Sequence, residues 1–383
     1  MIPNAIHLIN FLSAVVADPT TKSLPQMGAA KVYVKSDSEV TVYNGITAQC
    51  GAKYKPDSPL RAFVRTDGKV VAVAGYITNY AMQGNSIDSL NLNCRPILSS
   101  EESSDDANLS DRSWIASTWT PDGRQVSALI HDEYQSQRFE GKCDFKSYMK
   151  CWYNTVTNYY SQDGGNNFNK RTKLFAIGPY VKFSRSAGKH IGFYNPSNII
   201  EKNGFAYTFV FTNGFSSQRP GVCLFRSPIK DMVNWYGWKN GSFSVKMESP
   251  YSSLPNQANC QVLNNLGSIV GSVVWSENLK LFIAATSSTS PISHDIKIAY
   301  STSPNMLDWS KSEVLIDKPT MWSKDCSDIF RYGYPSMLPG APLDRNFSNI
   351  KNDGYLFMTR FHVKDCNLSD VRDLVRFKFN IQR

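Results

Sequence analysis

Three ionisable residues stand side by side in the stretch LIHDEYQ, which covers residues 129–135. His131, Asp132 and Glu133 directly follow an apolar run that predicts a buried strand. Because a buried carboxylate without a partner is costly, the pair predicts a setting with water, a cation or a polar ligand. An exposed charged turn is the alternative, but the flanking apolar and aromatic residues favour a semi-enclosed site. Two carboxylates at one site are also what general acid–base catalysis requires.

Further polar and aromatic residues recur at comparable points of the chain, at the starts of predicted strands or in loops beside them. Carboxylates supply acid–base pairs, amides and arginines bind hydroxyls or carboxylates, and aromatic rings stack on sugars, so this mixture predicts a carbohydrate site. The predicted catalytic residues are Asp57, Asp132 and Glu133. The predicted ligand-binding residues are Arg61, His131, Tyr134, Trp152, Tyr153, Asn154, Asn195, Ser197, Asn198, Gln218, Arg219, Tyr334 and Arg360.

The elements that must position these residues are short strands, because helical periodicity is nearly absent. Apolar or alternating runs are separated by Asp-Gly, Asn-Gly and Gly-Gly turns, which are typical of antiparallel hairpins. One strand–turn–strand unit recurs five times at intervals of about 50–85 residues. The five copies cover 58–77, 113–134, 194–214, 267–286 and 334–361.

A second hairpin, with a similar sequence pattern each time, follows the repeating unit at 152–170, 221–238 and 296–310. The first of these carries Ser161, Asp163, Gly165 and Phe168 in the spacing of the Asp-box turn, with Phe in the usual Trp position. Radial repetition of four-stranded sheets is the way in which β-propellers protect their sheet edges. The sequence therefore predicts an all-β fold, a five-bladed β-propeller that forms a single domain over residues 18–383. The strand 374–381 is expected to pair with N-terminal sequence.

Composition excludes several other classes of protein. Hydrophobic residues make up 42% of the 383-residue chain and charged residues only 19%, which indicates a globular protein. The net charge of +9 is spread over the chain without a basic helix or run, so no nucleic-acid partner is predicted. The charge remains compatible with an acidic glycan. No later segment is long and apolar enough to span a membrane, and we expect a monomer.

Eight cysteines without a Cys-x-x-Cys pair indicate disulfides rather than zinc sites. Cys143 and Cys151 bracket a short polar loop, so a bridge between them is predicted first. Scattered reduced thiols are the alternative. The apolar stretch within residues 1–17 predicts either a signal peptide or a buried first segment. Together these features favour a secreted or periplasmic protein.

The repeat plan over residues 50–383 resembles that of the five-bladed propeller glycosidases, which include arabinanases, β-xylosidases and β-fructosidases. Those enzymes place an Asp at the head of the first blade, often before a Pro, and Asp57 in the stretch DSP matches it. Asp132 or Glu133 matches the acid of the second blade. The third blade departs from the pattern because its stretch NPSN carries no acid. The stretches HDEYQ, CWYN, GFYNPSNI and QRPGVCL also resemble uncharacterised exported bacterial propellers.

The resemblance implies hydrolysis of a glycosidic bond, with Glu133 as the general acid, Asp57 as the base or nucleophile, and Asp132 tuning Glu133. A non-catalytic glycan-binding propeller, such as a lectin or adhesin, is the alternative from another class. A sialidase-like exoglycosidase would use Arg61, Arg219 and Arg360 as a carboxylate-binding triad. No cofactor is predicted, although Asp132, Glu133 and Asp163 offer oxygen ligands for a structural Ca²⁺.

Overall fold

The computed structural model describes residues 30–47, 49–51, 54–252, 258–266, 269–287 and 297–383. The possible signal peptide at 1–17 lies outside the described residues. Helical structure in the described part is limited to 3₁₀ turns of three or four residues. The predicted all-β class is therefore confirmed. None of the described helices is long and apolar enough to cross a membrane.

The strands form five antiparallel units that follow one another along the chain. Two strands, β1 (Lys31–Val34) and β2 (Val40–Tyr43), precede them. Unit 1 contains β3 (Arg61–Val64), β4 (Val70–Val73), β5 (Thr78–Gly84) and β6 (Asn91–Ser99). Unit 2 contains β7 (Arg112–Trp119), β8 (Val126–Gln135), β9 (Trp152–Ser161) and β10 (Asn169–Ile177). Unit 3 contains β11 (Ile191–Tyr194), β12 (Ile200–Lys202), β13 (Phe205–Thr212), β14 (Gly221–Pro228), β15 (Tyr236–Lys239) and β16 (Ser242–Lys246).

Unit 4 contains β17 (Ile269–Ser276), β18 (Leu281–Ser287), β19 (Ile298–Ser303) and β20 (Glu313–Ile316). Unit 5 contains β21 (Phe330–Pro339), β22 (Asn349–Ile350), β23 (Asp353–Lys364) and β24 (Asn367–Gln382). Two short strands cross between units: β11 pairs in parallel with β9, and β22 pairs in parallel with β17. All five hairpins predicted as the repeating unit are present in the structure, the third of them between β12 and β13.

The outer edge of unit 5 is formed by sequence from the other end of the chain. Strand β1 pairs antiparallel with β24, with Val32 opposite Ile381, and β2 pairs with the same strand. The predicted pairing of the C-terminal strand with N-terminal sequence is confirmed. The burial pattern of β1 alternates, as expected of an edge strand, whereas all four residues of β4 are buried because both faces of that strand are covered.

The hydrophobic core is divided into five clusters, and each lies between two units. One cluster joins unit 1 to unit 2, with Phe63 and Ile115 among its members. The next three clusters join unit 2 to unit 3, unit 3 to unit 4, and unit 4 to unit 5. The fifth contains Leu338 and Phe357 of unit 5 together with Ala62 and Val70 of unit 1. The packing contacts therefore return to their starting point, and each unit is stabilised by two neighbours.

Arg61 connects four of the five units at the centre of this arrangement. Its guanidinium donates hydrogen bonds to the carbonyl oxygens of Ala116 at 2.5 Å, Gly271 at 2.7 Å and Pro196 at 3.1 Å, which belong to units 2, 4 and 3. The residue is only 2% exposed, and burial lowers the pKa of Arg61 to about 9. Arg61 was predicted to bind ligand, and the structure shows its Nε, Nη1 and Nη2 atoms each bonded to a backbone carbonyl.

Four disulfides join the eight cysteines. The predicted bridge Cys143–Cys151 is confirmed. The other three are Cys50–Cys94, Cys223–Cys260 and Cys326–Cys366. Four disulfides are typical of proteins from oxidising compartments.

Candidate active site

A cavity of about 450 Å³ lies where the strands of several units begin or end together. Arg112 and Trp114 line it from the start of β7, and His131 and Glu133 from the end of β8. Unit 4 contributes Ile269 at the start of β17, and units 1, 3 and 5 contribute further residues from loops and from within their strands. These residues include Asp57, Tyr76, His190, Tyr194, Asn195, Tyr334, Phe361 and Arg372.

Asp57 is held at one wall of the cavity by residues from distant parts of the chain. Arg372, which follows it by 315 residues, forms an ion pair with its carboxylate. Burial raises the pKa of Asp57 above its ordinary value. The positive charge of Arg372 and hydrogen bonding by Tyr334 and Trp114 oppose this rise, whereas the negative charge of Glu133 adds to it. Asp57 and Glu133 are therefore close enough to affect each other's ionisation.

The pKa of Glu133 is shifted in the opposite direction by its polar neighbours. Its two carboxylate oxygens contact His131 Nε2 at 3.0 Å and Gln135 Nε2 at 2.6 Å. Burial alone would raise the pKa of Glu133, but hydrogen bonding and charge from His131, together with His190 and Gln135, outweigh it and lower the pKa. The carboxylate is thus stabilised in its ionised form although its side chain is only 13% exposed.

The ring of His131 is oriented by two neighbours. The backbone N–H of Asn195 donates to Nδ1 of His131 over 2.7 Å. Because this backbone group can only donate, Nδ1 carries no proton, and the ring proton sits on Nε2, next to Glu133. The fully buried Asn154 places its Nδ2 atom 2.9 Å from His131 Nε2, where two donor groups meet without a hydrogen bond, and its Oδ1 atom accepts a hydrogen bond from His190 Nε2 at 2.7 Å. Burial lowers the pKa of His190 to about 4, so this ring is neutral at neutral pH.

Asp132 lies on the other face of β8 and does not line the cavity. Successive residues of a strand point to opposite faces of its sheet, so Asp132 cannot share the face of His131 and Glu133. It accepts hydrogen bonds from Ser113 and Thr157 in the interior. Burial raises the pKa of Asp132 to about 8. Asp132, which was predicted as a catalytic residue that tunes Glu133, is therefore bonded to Ser113 and Thr157 and is not part of the cavity lining.

Aromatic rings form much of the remaining wall. His190 stacks on Tyr194 with ring centroids 4.7 Å apart, and Trp152 meets His190 edge-on at 5.3 Å. Trp114 lies edge-on to His131 at 5.7 Å. An apolar wall with a few convergent polar groups is the usual construction of a small-molecule site. Of the predicted ligand-binding residues, the cavity includes His131, Trp152, Asn195 and Tyr334, and Asn154 lies directly behind it.

The other predicted ligand-binding residues have different surroundings. Tyr134 and Tyr153 donate their hydroxyl hydrogens to the carbonyls of Ser104 and Val181. Gln218 is buried and bonds the backbone of Cys260, and Arg219 is exposed away from the cavity.

Ser197 and Asn198 are used inside the fold. The Ser197 hydroxyl accepts the N–H of Phe209, and the Asn198 amide bonds both backbone groups of Val273. Arg360 pairs with Glu39 and Asp373 in unit 5. The predicted triad of Arg61, Arg219 and Arg360 is therefore not assembled.

Several cavity residues were missed at the sequence level. Gln135 follows Glu133 by two residues, so strand periodicity in HDEYQ could have placed both on one face and Asp132 on the other. Trp114 opens the first strand of unit 2, and Tyr194 directly precedes Asn195. Arg372 had no local signal, because its partner Asp57 lies at the other end of the chain.

The described residues contain no group of three or more His, Cys, Asp or Glu side chains placed to hold a metal ion. Asp132, Glu133 and Asp163, considered above as calcium ligands, are not brought together. Asp163 instead accepts hydrogen bonds from Ser161 at 2.6 Å and from the backbone of Asn166 at 3.0 Å. Its carboxylate thus shapes the turn between β9 and β10.

Comparison with known proteins finds similarity in structure alone. No family model matches the chain, and no curated protein matches its sequence. The catalytic domain of the Coprinopsis cinerea GH62 α-L-arabinofuranosidase is similar with a TM-score of 0.49 and 8% identity, over 89% of this chain and 95% of that one. The Cellvibrio cellulosa α-L-arabinanase in complex with arabinohexaose gives a TM-score of 0.44 and 11% identity, over 84% and 91%.

The Bombyx mori GH32 β-fructofuranosidase gives a TM-score of 0.44 and 12% identity. The match covers 83% of this chain but only 58% of the Bombyx mori chain. The chain is thus similar in structure to these three glycosidases, with TM-scores below 0.5. None of these similarities assigns a role to a residue of this chain.

Proposed function

We propose that the five units are the blades of a five-bladed β-propeller over residues 18–383. Two sets of contacts support this proposal. The hydrophobic clusters link the units in cyclic order. Hydrogen bonds between neighbouring units follow the same order. The Ser117 hydroxyl donates to the carbonyl of Ser197, Ser272 accepts the N–H of Met337, and Ser336 donates to the carbonyl of Leu60.

We further propose that the cavity around Glu133 is the active site of a glycoside hydrolase. The observation that carries this proposal is that Asp57 and Glu133 line one cavity while their surroundings shift their pKa values in opposite directions. Carboxyl pairs whose environments separate their pKa values are suited to divide the roles of acid and base. The aromatic wall supplies surfaces on which a sugar ring can pack.

The pKa directions favour a different division of roles from the one that the sequence suggested. Asp57, whose pKa is raised, is the group that retains a proton more readily and would protonate the glycosidic oxygen. Glu133, whose pKa is lowered, is the ionised partner and would act as base or nucleophile. His131 and Gln135 hold its two oxygens, while Tyr334 and Arg372 orient Asp57. Asp132 has no direct part in this scheme.

The test is hydrolysis of a panel of pentose and hexose oligosaccharides, measured by the release of reducing ends. Glu133→Gln and Asp57→Asn should each lower kcat at least a hundredfold, because each removes one of the two ionisable groups while nearly keeping its shape. Glu201→Gln, at an exposed position of β12, is the matched control and should leave turnover unchanged. Turnover that survives both cavity substitutions would contradict the proposal.

A second candidate function, a non-catalytic glycan-binding module, is favoured by the ion pair between Asp57 and Arg372. A carboxylate in an ion pair with an arginine can have a structural role and need not be catalytic. The same panel separates the two candidates. A module without catalysis would bind an oligosaccharide without cleaving it, and Glu133→Gln would then change affinity but no rate.

We propose that the protein is secreted and acts as a monomer. Its four disulfides support folding in an oxidising compartment. Thiol titration of the denatured, unreduced protein should detect no free thiol among the eight cysteines. Eight reactive thiols would contradict the oxidised state.

Mass spectrometry of exported protein tests whether residues 1–17 are removed, and light scattering tests whether the protein is a monomer.

A further inference from the structure

A second cavity, of about 790 Å³, lies between units 2 and 3. Val126 and Ser127 at the start of β8 line it, together with Trp119 at the end of β7 and the turn after β14. Val126 and Glu133 are seven residues apart on one strand, which corresponds to about 23 Å. The two cavities are therefore separate, and the second one does not depend on the proposed activity of the first.

Arg171 is a half-buried cation in this cavity. Its guanidinium lies over the Tyr160 ring, 5.6 Å from the centroid, and one terminal nitrogen donates to Ser127 Oγ at 2.8 Å. Its buried Nε has no hydrogen-bond partner among the described residues. Of the acids in the described part of the chain, none lies within ion-pairing distance of it. Burial lowers the pKa of Arg171, and the charge of Asp231 only partly opposes this effect.

Asp231, the one acid that lines the cavity, is bonded elsewhere. Its carboxylate accepts the side-chain amide of Asn234 at 2.5 Å. Lys230 beside it is exposed and adds a second positive charge. The lining therefore carries two cations and one anion. Because a partly desolvated guanidinium gains most from a carboxylate or sulfate that it can bind with two nitrogens, this excess charge points to an anionic ligand.

We propose that this cavity binds an anionic saccharide, with its carboxylate or sulfate group on Arg171. Exposed amide side chains of Gln125 and Gln162 line the cavity and can bind sugar hydroxyls. The Tyr160 ring, whose face already carries the guanidinium, supplies an adjacent apolar surface. The net charge of +9 would attract such a ligand from a distance.

The test measures binding of three tetrasaccharides to the full-length protein by isothermal titration calorimetry. A heparin-derived tetrasaccharide carries sulfates and carboxylates, tetragalacturonate carries carboxylates alone, and cellotetraose is neutral. We expect one binding site per chain that depends on Arg171 for at least one anionic probe, and no binding of cellotetraose that depends on Arg171. Arg171→Gln should weaken that binding at least tenfold, and Lys230→Gln about threefold. Preference between the two anionic probes identifies the bound group as sulfate or carboxylate.

Arg226→Gln is the matched control, because Arg226 also lies over aromatic rings, 4.3 Å from those of Phe205 and Phe243, and its loss changes the net charge equally. It should change affinity less than twofold, and Glu133→Gln should leave this binding intact. Equal weakening by Arg171→Gln and Arg226→Gln would overturn the proposal in favour of diffuse attraction. Equal weakening of cellotetraose binding by Arg171→Gln, or no saturable binding of either anionic probe, would also overturn it. If Arg171→Gln does not fold, the exposed Lys230→Gln decides.

Discussion

The backbone N–H of Asn195 donates to Nδ1 of His131 across 2.7 Å and thereby fixes the ring proton on Nε2, opposite Glu133. Asn195 reaches this position with a left-handed backbone, at a φ of 51°. A residue of unit 3 thus determines which nitrogen of a unit 2 histidine faces the carboxylate. The ionisation of Glu133 consequently depends on the contact between two units.

Removing the ring of His131 should raise the pKa of Glu133. The variant His131→Gln loses the hydrogen bond that does most to offset burial, so protonation of Glu133 should begin at a higher pH. Titration of the Glu133 side-chain carbon by NMR measures this shift directly and needs no substrate. His362→Gln is the control, because His362 contacts Asp373 in unit 5. An unchanged Glu133 titration in His131→Gln would show that His131 does not tune it.

Substitution of Arg61 should destabilise the whole fold. Arg61→Met leaves three buried carbonyl oxygens without their donor and should lower the free energy of unfolding by about 3–5 kcal/mol. The free energy of unfolding of Arg61→Lys should lie between those of the wild type and Arg61→Met, since one ammonium group cannot reproduce the planar donor geometry of a guanidinium. Chemical denaturation measures the effect, with the exposed Arg95→Gln as control. If Arg61→Met unfolds like the control, the residue does not hold the units together.

Asp132 should make the protein less stable as pH rises. Burial raises the pKa of folded Asp132 to about 8, far above the unfolded value, so the folded state holds the proton more tightly. The stabilisation of the folded state by this proton is fully present below about pH 4 and is lost as pH rises towards 8. Asp132→Asn, which resembles the protonated form, should therefore be more stable than the wild type at pH 8 by ~5 kcal/mol, since the pKa rises by about 4 units, from 3.8 to about 8, at about 1.4 kcal/mol per unit. At pH 4 the two should be nearly equal. Urea unfolding at both pH values checks this, and a constant difference would contradict it.

Trp152 should affect binding at the candidate active site more than catalysis. It lines the cavity edge-on to His190, so Trp152→Ala removes packing surface but no ionisable group. For a hydrolysed oligosaccharide we expect KM to rise about tenfold or more with a smaller change in kcat, as for loss of uniform binding. Trp238→Ala, at an aromatic pair with Phe243 outside the cavity, is the control. A fall in kcat alone would instead place Trp152 among the groups that act in the transition state.

Local sequence patterns were sufficient to predict the class of fold and part of the candidate site. Turn residues between apolar runs identified the five hairpins, because turn geometry depends on a few adjacent residues. The short spacing of Cys143 and Cys151 identified one disulfide. The charged end of β8 drew attention to Glu133 and His131, and both line the cavity. Strand periodicity within the same stretch would also have separated Asp132 from them.

Sequence alone determined the hairpins, the β class and the stretch that carries Glu133, because these follow from side-chain period and turn chemistry over a few residues. Only the tertiary structure decided that Arg61 serves three backbone carbonyls and that Arg360 pairs with Glu39 and Asp373. It also decided that Arg372 joins Asp57 across 315 positions of the chain. An arginine carries the same five donors in every context, and its partner is set by which strands the packing of the five units brings together.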